Sequence, residues 1–324
     1  MSDVAAAAGV SLVTVSRVIN EPDKVAPATL ALVQEAVARL GYVPNLMAGS
    51  LASNRSRIVA AIVPTISNSV FSETVEGLAQ VLNAGGYQLL LGQASYRPED
   101  EQQLVETFLG RRVDGLVLTG EPTAPKLAQR LKRTGIPVVQ TWDLLPRPID
   151  MVAGFSNKAA GKAAAMHLIA KGHKNLGFIG AAEMRSQARL EGFSEAIAEA
   201  GLQVAEVEMM PPPVTIDQVG AHLAAMIARR PPLDAVFCNN DLLAAGVLFE
   251  CQRRNWKVPS RLAVIGFGDL PIATAASPRL TTVRIDRYGM GRLAGELLLN
   301  RFAGKDELPT VTDIGFEIVE REST

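Results

Sequence analysis

From Ile58 onward, short apolar runs alternate with amphipathic helical segments almost to the end of the chain, and this alternation constrains the fold more than any other feature. Residues 58–63 are continuously apolar and stop at Pro64, the pattern of a strand covered on both faces of a parallel sheet. The pattern predicts a helix at 71–84, a strand at 87–92, a helix at 98–110 and a strand at 114–119, then a helix at 126–134 and strands at 137–141 and 151–155. The same idiom repeats as helix 157–171, strand 176–180, helices 187–200 and 214–230, strand 235–238 and helix 242–255. Strands at 263–266 and 281–285, a helix at 289–302 and a last strand at 311–318 complete it. Such alternation implies parallel sheets flanked by helices. About ten strands exceed one comfortable sheet, so two similar lobes with a cleft between them are expected. The chain should cross between the lobes near 156–158 and 283–287.

Ahead of this core, residues 3–20 carry the grammar of two short helices joined by a tight turn. Asp3 and the alanines after it suit a first helix, Gly9 closes it without a Cβ clash, and Ser11 is a good cap for the second. On that second helix Val15, Val18 and Ile19 face inward, whereas Leu12, Val13, Ser16 and Arg17 share an outer arc. Exposed apolar residues beside an arginine are a liability in water. In a DNA major groove they have a use: Arg17 can donate twice to a guanine edge, and Leu12 and Val13 can touch thymine methyls. A third helix begins near Pro27 and offers a stripe of Leu30, Val33, Ala36, Val37 and Leu40 to cover the first two, until Gly41 and Pro44 stop it. A plain helical hairpin is the alternative reading of the same pattern.

Residues 1–44 thus form a helix-turn-helix unit, 45–57 a small, polar linker that is helical only when braced, and 58–324 the two-lobed core. Charge adds little, since 32 basic groups stand against 33 acidic ones. In the head, Arg17, Lys24, Arg39, Arg55 and Arg57 only slightly outnumber Asp3, Glu21, Asp23 and Glu35, which is weak support for phosphate binding. Cys238 and Cys251 are the only cysteines, and both fall in expected core elements, as suits a reducing cytoplasm. No export signal is evident, and no apolar run approaches the ~18 residues of a membrane span.

In open α/β sheets ligands sit beyond the carboxyl ends of the strands. The segment 65–71, Glu121, Trp142, Asp143, Ser156 and Asn157 follow strands of the first lobe. Arg185, Arg189, the run 239–241 and the run 266–269 do so in the second. Amides, acids, aromatics and arginines together suit a polyhydroxylated or carboxylated small molecule. The Asn239-Asn240-Asp241 run also suits a helix cap, and the two roles are compatible. Catalytic templates fail: no phosphate loop, no dinucleotide fingerprint, no paired cysteines, and three histidines scattered at 167, 173 and 222. No enzyme, cofactor or metal site is expected.

Four stretches, Asp3-Val4-Ala5, Ala8-Gly9-Val10-Ser11, Thr14-Val15-Ser16-Arg17-Val18 and Leu40-Gly41-Tyr42-Val43-Pro44-Asn45, closely resemble the DNA-binding head of the lac/gal repressor family. The resemblance extends through Val113-Asp114-Gly115, Cys238-Asn239-Asn240-Asp241 and Val264-Ile265-Gly266-Phe267 to Leu280-Thr281-Thr282-Val283, and so covers essentially the whole chain. Phe71, Tyr96-Arg97-Pro98-Glu99 and Phe249-Glu250-Cys251-Gln252 look further like its gluconate-type repressors.

The resemblance implies a three-helix head on a periplasmic-binding-protein-like core of two lobes. It implies a cytoplasmic, nucleoid-associated homodimer, or a tetramer, that binds double-stranded operator DNA and closes on a small effector. Leu12, Val13 and Arg17 occupy its base-reading positions; Thr14, Ser16, Asn20, Thr29 and Asn45 are the remaining DNA contacts, and Leu51 matches a leucine wedged into the minor groove. Ser67, Phe71, Trp142, Asp143, Arg189, Asn240 and Phe267 are the expected effector residues. Ala26 stands where a capping serine is usual, and the first helix lies closer to Met1 than in the family. Gly268 replaces an acid common in sugar-binding members, which favours an anion such as gluconate or a ketogluconate over a neutral sugar. A solute-binding protein shares this core, but would need an export signal in place of the head.

Overall fold

A computed structural model of the 324-residue chain describes residues 1–42, 55–67, 69–124, 126–229, 233–305, 307 and 309–324, with Asn20 described by its backbone alone. The chain divides into two compact units, Met1–Ser56 and Arg57–Thr324.

In the first unit, α1 (Ser2–Ala8) ends at Gly9 with φ of 64°, the left-handed conformation that costs glycine nothing. Ser11 caps α2 (Leu12–Asn20) by accepting the Thr14 N–H at 3.1 Å, and the two helix axes turn by 100°, inside the roughly 90–120° of a helix-turn-helix. α3 (Pro27–Leu40) opens on its proline and lacks a side-chain cap at Ala26. Val4, Val15, Val18 and Val33 fill the space among the three, with Ala5 and Ala36. Leu40 departs from the expected stripe and is 46 % exposed. The turn at Gly41, where the Tyr42 N–H bonds back to the Val37 carbonyl, brings Tyr42 into the apolar cluster in its place.

The second unit holds two six-stranded sheets. β1 (Ile58–Val63), β2 (Gln88–Gln93), β3 (Gly115–Thr119), β4 (Val138–Thr141) and β5 (Met151–Gly154) build the first lobe's sheet with β11 (Val311–Asp313), in the order β11-β5-β4-β3-β1-β2. The second lobe uses β6 (Leu176–Ala181), β7 (Glu206–Met210), β8 (Ala235–Cys238), β9 (Ala263–Gly268), β10 (Thr281–Arg284) and β12 (Glu317–Val319), in the order β12-β10-β9-β8-β6-β7. Every pairing is parallel except that of β10 with β12. In the first lobe α4 (Ser72–Ala84), α5 (Pro98–Gly110), α6 (Leu127–Thr134) and α12 (Arg287–Phe302) flank the sheet. In the second, α7 (Asn157–Ala170), α8 (Met184–Glu199), α9 (Val219–Arg229), α10 (Asp241–Arg253) and the short α11 (Pro271–Ala275) do so. Phe178, Phe193 and Phe237 meet at centroid distances of 5.4 to 6.0 Å under the second sheet.

Two sequence expectations need correction, and one strand was not expected at all. The strand expected over 311–318 is two strands in different lobes, so the chain crosses a third time, at 314–316, where Gly315 takes φ of 68° and donates its N–H to Asp313. The helix expected at 214–230 starts only at Val219, and 214–216 form part of the cleft wall instead. β7 was hidden by its charges: Glu206 and Glu208 sit on a sheet edge and pair with Arg229 of α9, Glu208 also with His222. Its polarity reads as a loop, yet it closes the second sheet.

Candidate functional site

The outer arc of α2 stands clear of the head's core: Leu12 is 53 % and Val13 65 % exposed, and Arg17 is exposed beside them. Thr14 and Ser16 are half-buried, the Thr14 hydroxyl lying 2.9 Å from Ser11 Oγ, and Thr29 is half-buried in the first turn of α3. Asn45 and Leu51 lie outside the described residues, as does the side chain of Asn20. Leu12, Val13 and Arg17 therefore form a convex, mixed apolar and cationic ridge.

Between the lobes of the core, a cavity of about 270 Å³ opens at the carboxyl ends of the strands. The first lobe gives it Thr65 and Ser67 after β1, Phe71 before α4 and Trp142 after β4. The second gives Arg189 from α8, Asn239 and Asn240 after β8, and Phe267 from the end of β9. Asp143 lines a neighbouring chamber instead, where its Oδ1 accepts the Leu144 N–H at 3.0 Å.

Arg189 is the centre of the arrangement. It is 5 % exposed; its Nε donates to Asn157 Oδ1 at 2.9 Å, its Nη1 to the Asn239 carbonyl at 2.7 Å, and the guanidinium lies 3.5 Å from the centroid of Phe267. Among the described residues its Nη2 has no hydrogen-bond partner, and the side chain lines the cavity. Burial pushes its pKa down to about 9, against the opposing pull of Glu183, so it remains a cation at neutral pH. A charge this dry is stabilised by an anion that arrives with its own hydrogen-bond acceptors.

Trp142 is held with equal firmness. Its φ of 67° is a left-handed conformation that costs a large side chain about 1–3 kcal/mol. Asn157 Nδ2 donates to its carbonyl at 2.8 Å, its own N–H reaches Met290 Sδ at 3.3 Å, and its ring meets Phe71 edge-on at 5.0 Å. Its indole Nε1 is buried and has no partner among the described residues. Asn157 is thus the strut that ties the tryptophan of one lobe to the arginine of the other.

Asn240 caps α10, its Oδ1 accepting the Leu243 N–H at 2.9 Å, and the residue also lines the cavity. Asp241, in contrast, is structural. It is fully buried, accepts from the Leu270 N–H and the Thr282 hydroxyl at 2.6 Å each, and burial raises its carboxyl to about 6. Gly268 sits at φ of 120°, a backbone that would strain any side chain, so the absent acid is matched by a backbone that excludes it.

Tyr96, Glu183 and the 212–216 loop also line the cavity and were not among the expected site residues. Tyr96 follows β2 and was open to discovery by the strand-end rule; burial raises its phenol above the usual value. Glu183 caps α8, accepting the Ser186 N–H at 2.8 Å, and was missed because that helix starts before the predicted 187. The histidines are engaged elsewhere: His167 with Thr324, His173 near Asp234, His222 with Glu208. Burial raises both thiols, and among the described residues no cluster of His, Cys, Asp and Glu could hold a metal ion. No single helix among them is long and apolar enough to cross a membrane.

Comparison with known proteins matches residues 1–45 to the bacterial regulatory proteins of the lacI family and residues 165–324 to a periplasmic binding protein-like domain. The HTH-type transcriptional regulator GntR of Pseudomonas aeruginosa is 39 % identical over 326 residues, covering 100 % of this chain and 95 % of its own. The crystal structure of a LacI-family regulator from Silicibacter pomeroyi superposes with a TM-score of 0.93 at 32 % identity, covering 99 % of this chain and 98 % of that one. That of the regulator GntR from Chromobacterium violaceum does so with a TM-score of 0.79 at 36 % identity, over 82 % of this chain and 98 % of its own.

Proposed function

Since the chain belongs to the lacI family of bacterial regulatory proteins and is a transcriptional regulator, we propose that it is an operator-binding repressor controlled by a small sugar acid. Leu12, Val13 and Arg17 read base edges, and Thr14, Ser16, Asn20, Thr29 and Asn45 position the head on the DNA. Leu51 wedges the minor groove. Two heads of a dimer supply the backbone contacts that the weak positive charge of one head does not.

The effector enters between the lobes, its carboxylate on Arg189 and Asn240 and its carbon chain against Phe71, Trp142 and Phe267, with Ser67 at the rim and Asp143 in the adjoining chamber. The single observation that carries this reading is the buried guanidinium of Arg189, fixed on two sides and turned to the cavity on the third. Effector closure of the lobes then weakens operator binding by a coupling of about 1–3 kcal/mol. Glu183 in the cavity wall favours a second reading, a neutral sugar whose hydroxyls donate to it.

A thermal-shift screen of aldonates and ketoaldonates against neutral hexoses decides between the two, and a gel shift with the successful compound tests the control of DNA binding. Tight binding of a hexose with no response to any aldonate would reject the sugar acid. Arg17→Ala should cost about 1–3 kcal/mol of specific operator affinity and little non-specific affinity; equal losses on operator and random duplex would remove its base-reading role.

A further inference from the structure

Beside the cavity around Arg189 lies a second chamber of about 230 Å³. The two share the walls Tyr96, Glu183, Arg185 and Pro212, and differ in chemistry elsewhere. The first holds the buried cation and the aromatic faces. The second sets Glu101, Glu121 and Asp143 against the apolar Ile62, Val63 and Met184. Glu101 is 9 % exposed; its Oε2 accepts from the N–H and hydroxyl of Thr123 at 2.8 Å each, and its Oε1 has no partner among the described residues. Arg97 and the shared Arg185 also line it, yet the four carboxylates, counting Glu183, outnumber these two cations, so the lining disfavours a second anion. It suits a neutral sugar ring, whose hydroxyls donate to carboxylates and whose C–H faces rest on apolar side chains.

Arg185 stands where the chambers meet. It springs from the second lobe near the start of α8, and its guanidinium crosses to the first lobe, where Nη1 donates to the Thr119 carbonyl at 3.3 Å. Nη2 pairs with Glu183 at 3.2 Å, and the cation lies 5.7 Å from the ring centroid of Phe71. Its receiving surface is rigid: Gln140 Nε2 donates to the Gly120 carbonyl at 3.0 Å, and a Cβ at Gly120 would lie 3.3 Å from Arg185 Nη1. The side chain is only 11 % exposed. A long side chain tethered at both lobes is a partition.

We propose that Arg185 is a specificity-determining partition that confines the effector to one sugar unit, and that the chamber behind it is a latent subsite for a neutral pyranose. The inference rests on the cleft being the effector site, and its test separates the two. Titration calorimetry compares gluconate with lactobionate, which is gluconate carrying a galactosyl unit, and glucose with cellobiose, on wild type, Arg185→Ala and Arg185→Lys.

Wild type should bind the single-unit member of the responsive pair at least tenfold more tightly. Arg185→Ala should shift that ratio at least tenfold toward the two-unit member, with Arg185→Lys keeping the wild-type preference; matching unfolding midpoints serve as the folding control. Equal affinity of wild type for both members, or an unchanged ratio in folded Arg185→Ala, overturns the partition. If only the neutral pair responds and its ratio shifts, the sugar-acid reading falls and the partition stands. If gluconate binds and the ratio does not move, the reverse holds. Silence of all four probes rejects both.

Discussion

The two lobes wind their sheets in the same order, yet they are assembled differently. Each is clamped by a helix pair packed through glycines: a Cβ at Gly161 would lie 2.0 Å from the Arg189 carbonyl oxygen, and one at Gly192 would lie 1.8 Å from that of Lys158. The first lobe repeats the device with α4 and α12, where a Cβ at Gly77 would meet the Tyr288 carbonyl oxygen at 2.3 Å and one at Gly291 that of Thr74 at 2.0 Å. In the second lobe the paired helices, α7 and α8, are neighbours in the chain. In the first, α12 arrives only after the chain has built the other lobe and crossed back. The second lobe's helix clamp is therefore completed locally, whereas the first lobe's waits for the chain to return, although each sheet takes its last edge strand from the C-terminal segment. The division extends to the cleft, where the second lobe contributes the fixed charge of Arg189 on Phe267 and the first contributes Phe71, Tyr96 and a strained Trp142.

The largest effects should come from breaking the glycine clamps. Gly192→Val and Gly291→Val each drive a side chain into backbone, and each should lower unfolding stability by about 4 kcal/mol or more in denaturant titrations. If the lobes differ as described, Gly291→Val should loosen the first lobe alone in hydrogen exchange, and Gly192→Val the second. Equal loss of protection in both lobes would erase the distinction.

Next, Arg189→Ala removes a buried charge from its ligand and should cost about 2–5 kcal/mol of effector affinity by calorimetry. Operator binding without effector should persist, and an unchanged effector affinity would dismiss Arg189 as the anion's partner.

Asp241 sharpens the contrast by pH. Its folded pKa of about 6 lies above the ordinary 3.8, so the folded state holds that proton more tightly. The stability it confers is fully present below about pH 4 and is lost as pH rises through 6, a difference of about 3 kcal/mol at 1.36 kcal/mol per unit. Asp241→Asn lacks this term, so its stability relative to wild type should rise between pH 4 and 7; a constant difference would show that the carboxyl titrates normally. The smallest change is expected from Trp142→Phe, which deletes an unpartnered indole N–H and should cost about 1 kcal/mol of effector affinity without destabilising the fold.

Much of the head was legible because its information is local. The Gly9 turn, the Ser11 cap and the outward set Leu12, Val13 and Arg17 follow from spacing along one helix, and the structure places all of them accordingly. Leu40 failed because periodicity counts turns but does not know that Tyr42 will fold back to take the space. In the core, strand ends located Phe71, Trp142, Arg189 and Asn240, since a parallel sheet gathers those ends on one side. Tyr96 and Glu183 escaped because loop conformation and the true start of α8 turned them inward.

The sequence by itself determined the alternation that makes two layered lobes and the helix-turn-helix at the amino end, because hydrophobic period and turn chemistry act over a few residues; the family was legible only through the resemblance of its motifs. Only the tertiary structure decided that residues 311–318 split between sheets, that Asn157 braces Trp142 against Arg189, and that Arg185 reaches from the second lobe to the Thr119 carbonyl of the first. Those outcomes depend on side chains from distant segments competing for the same space and the same hydrogen bonds, and that competition is settled only when the lobes meet.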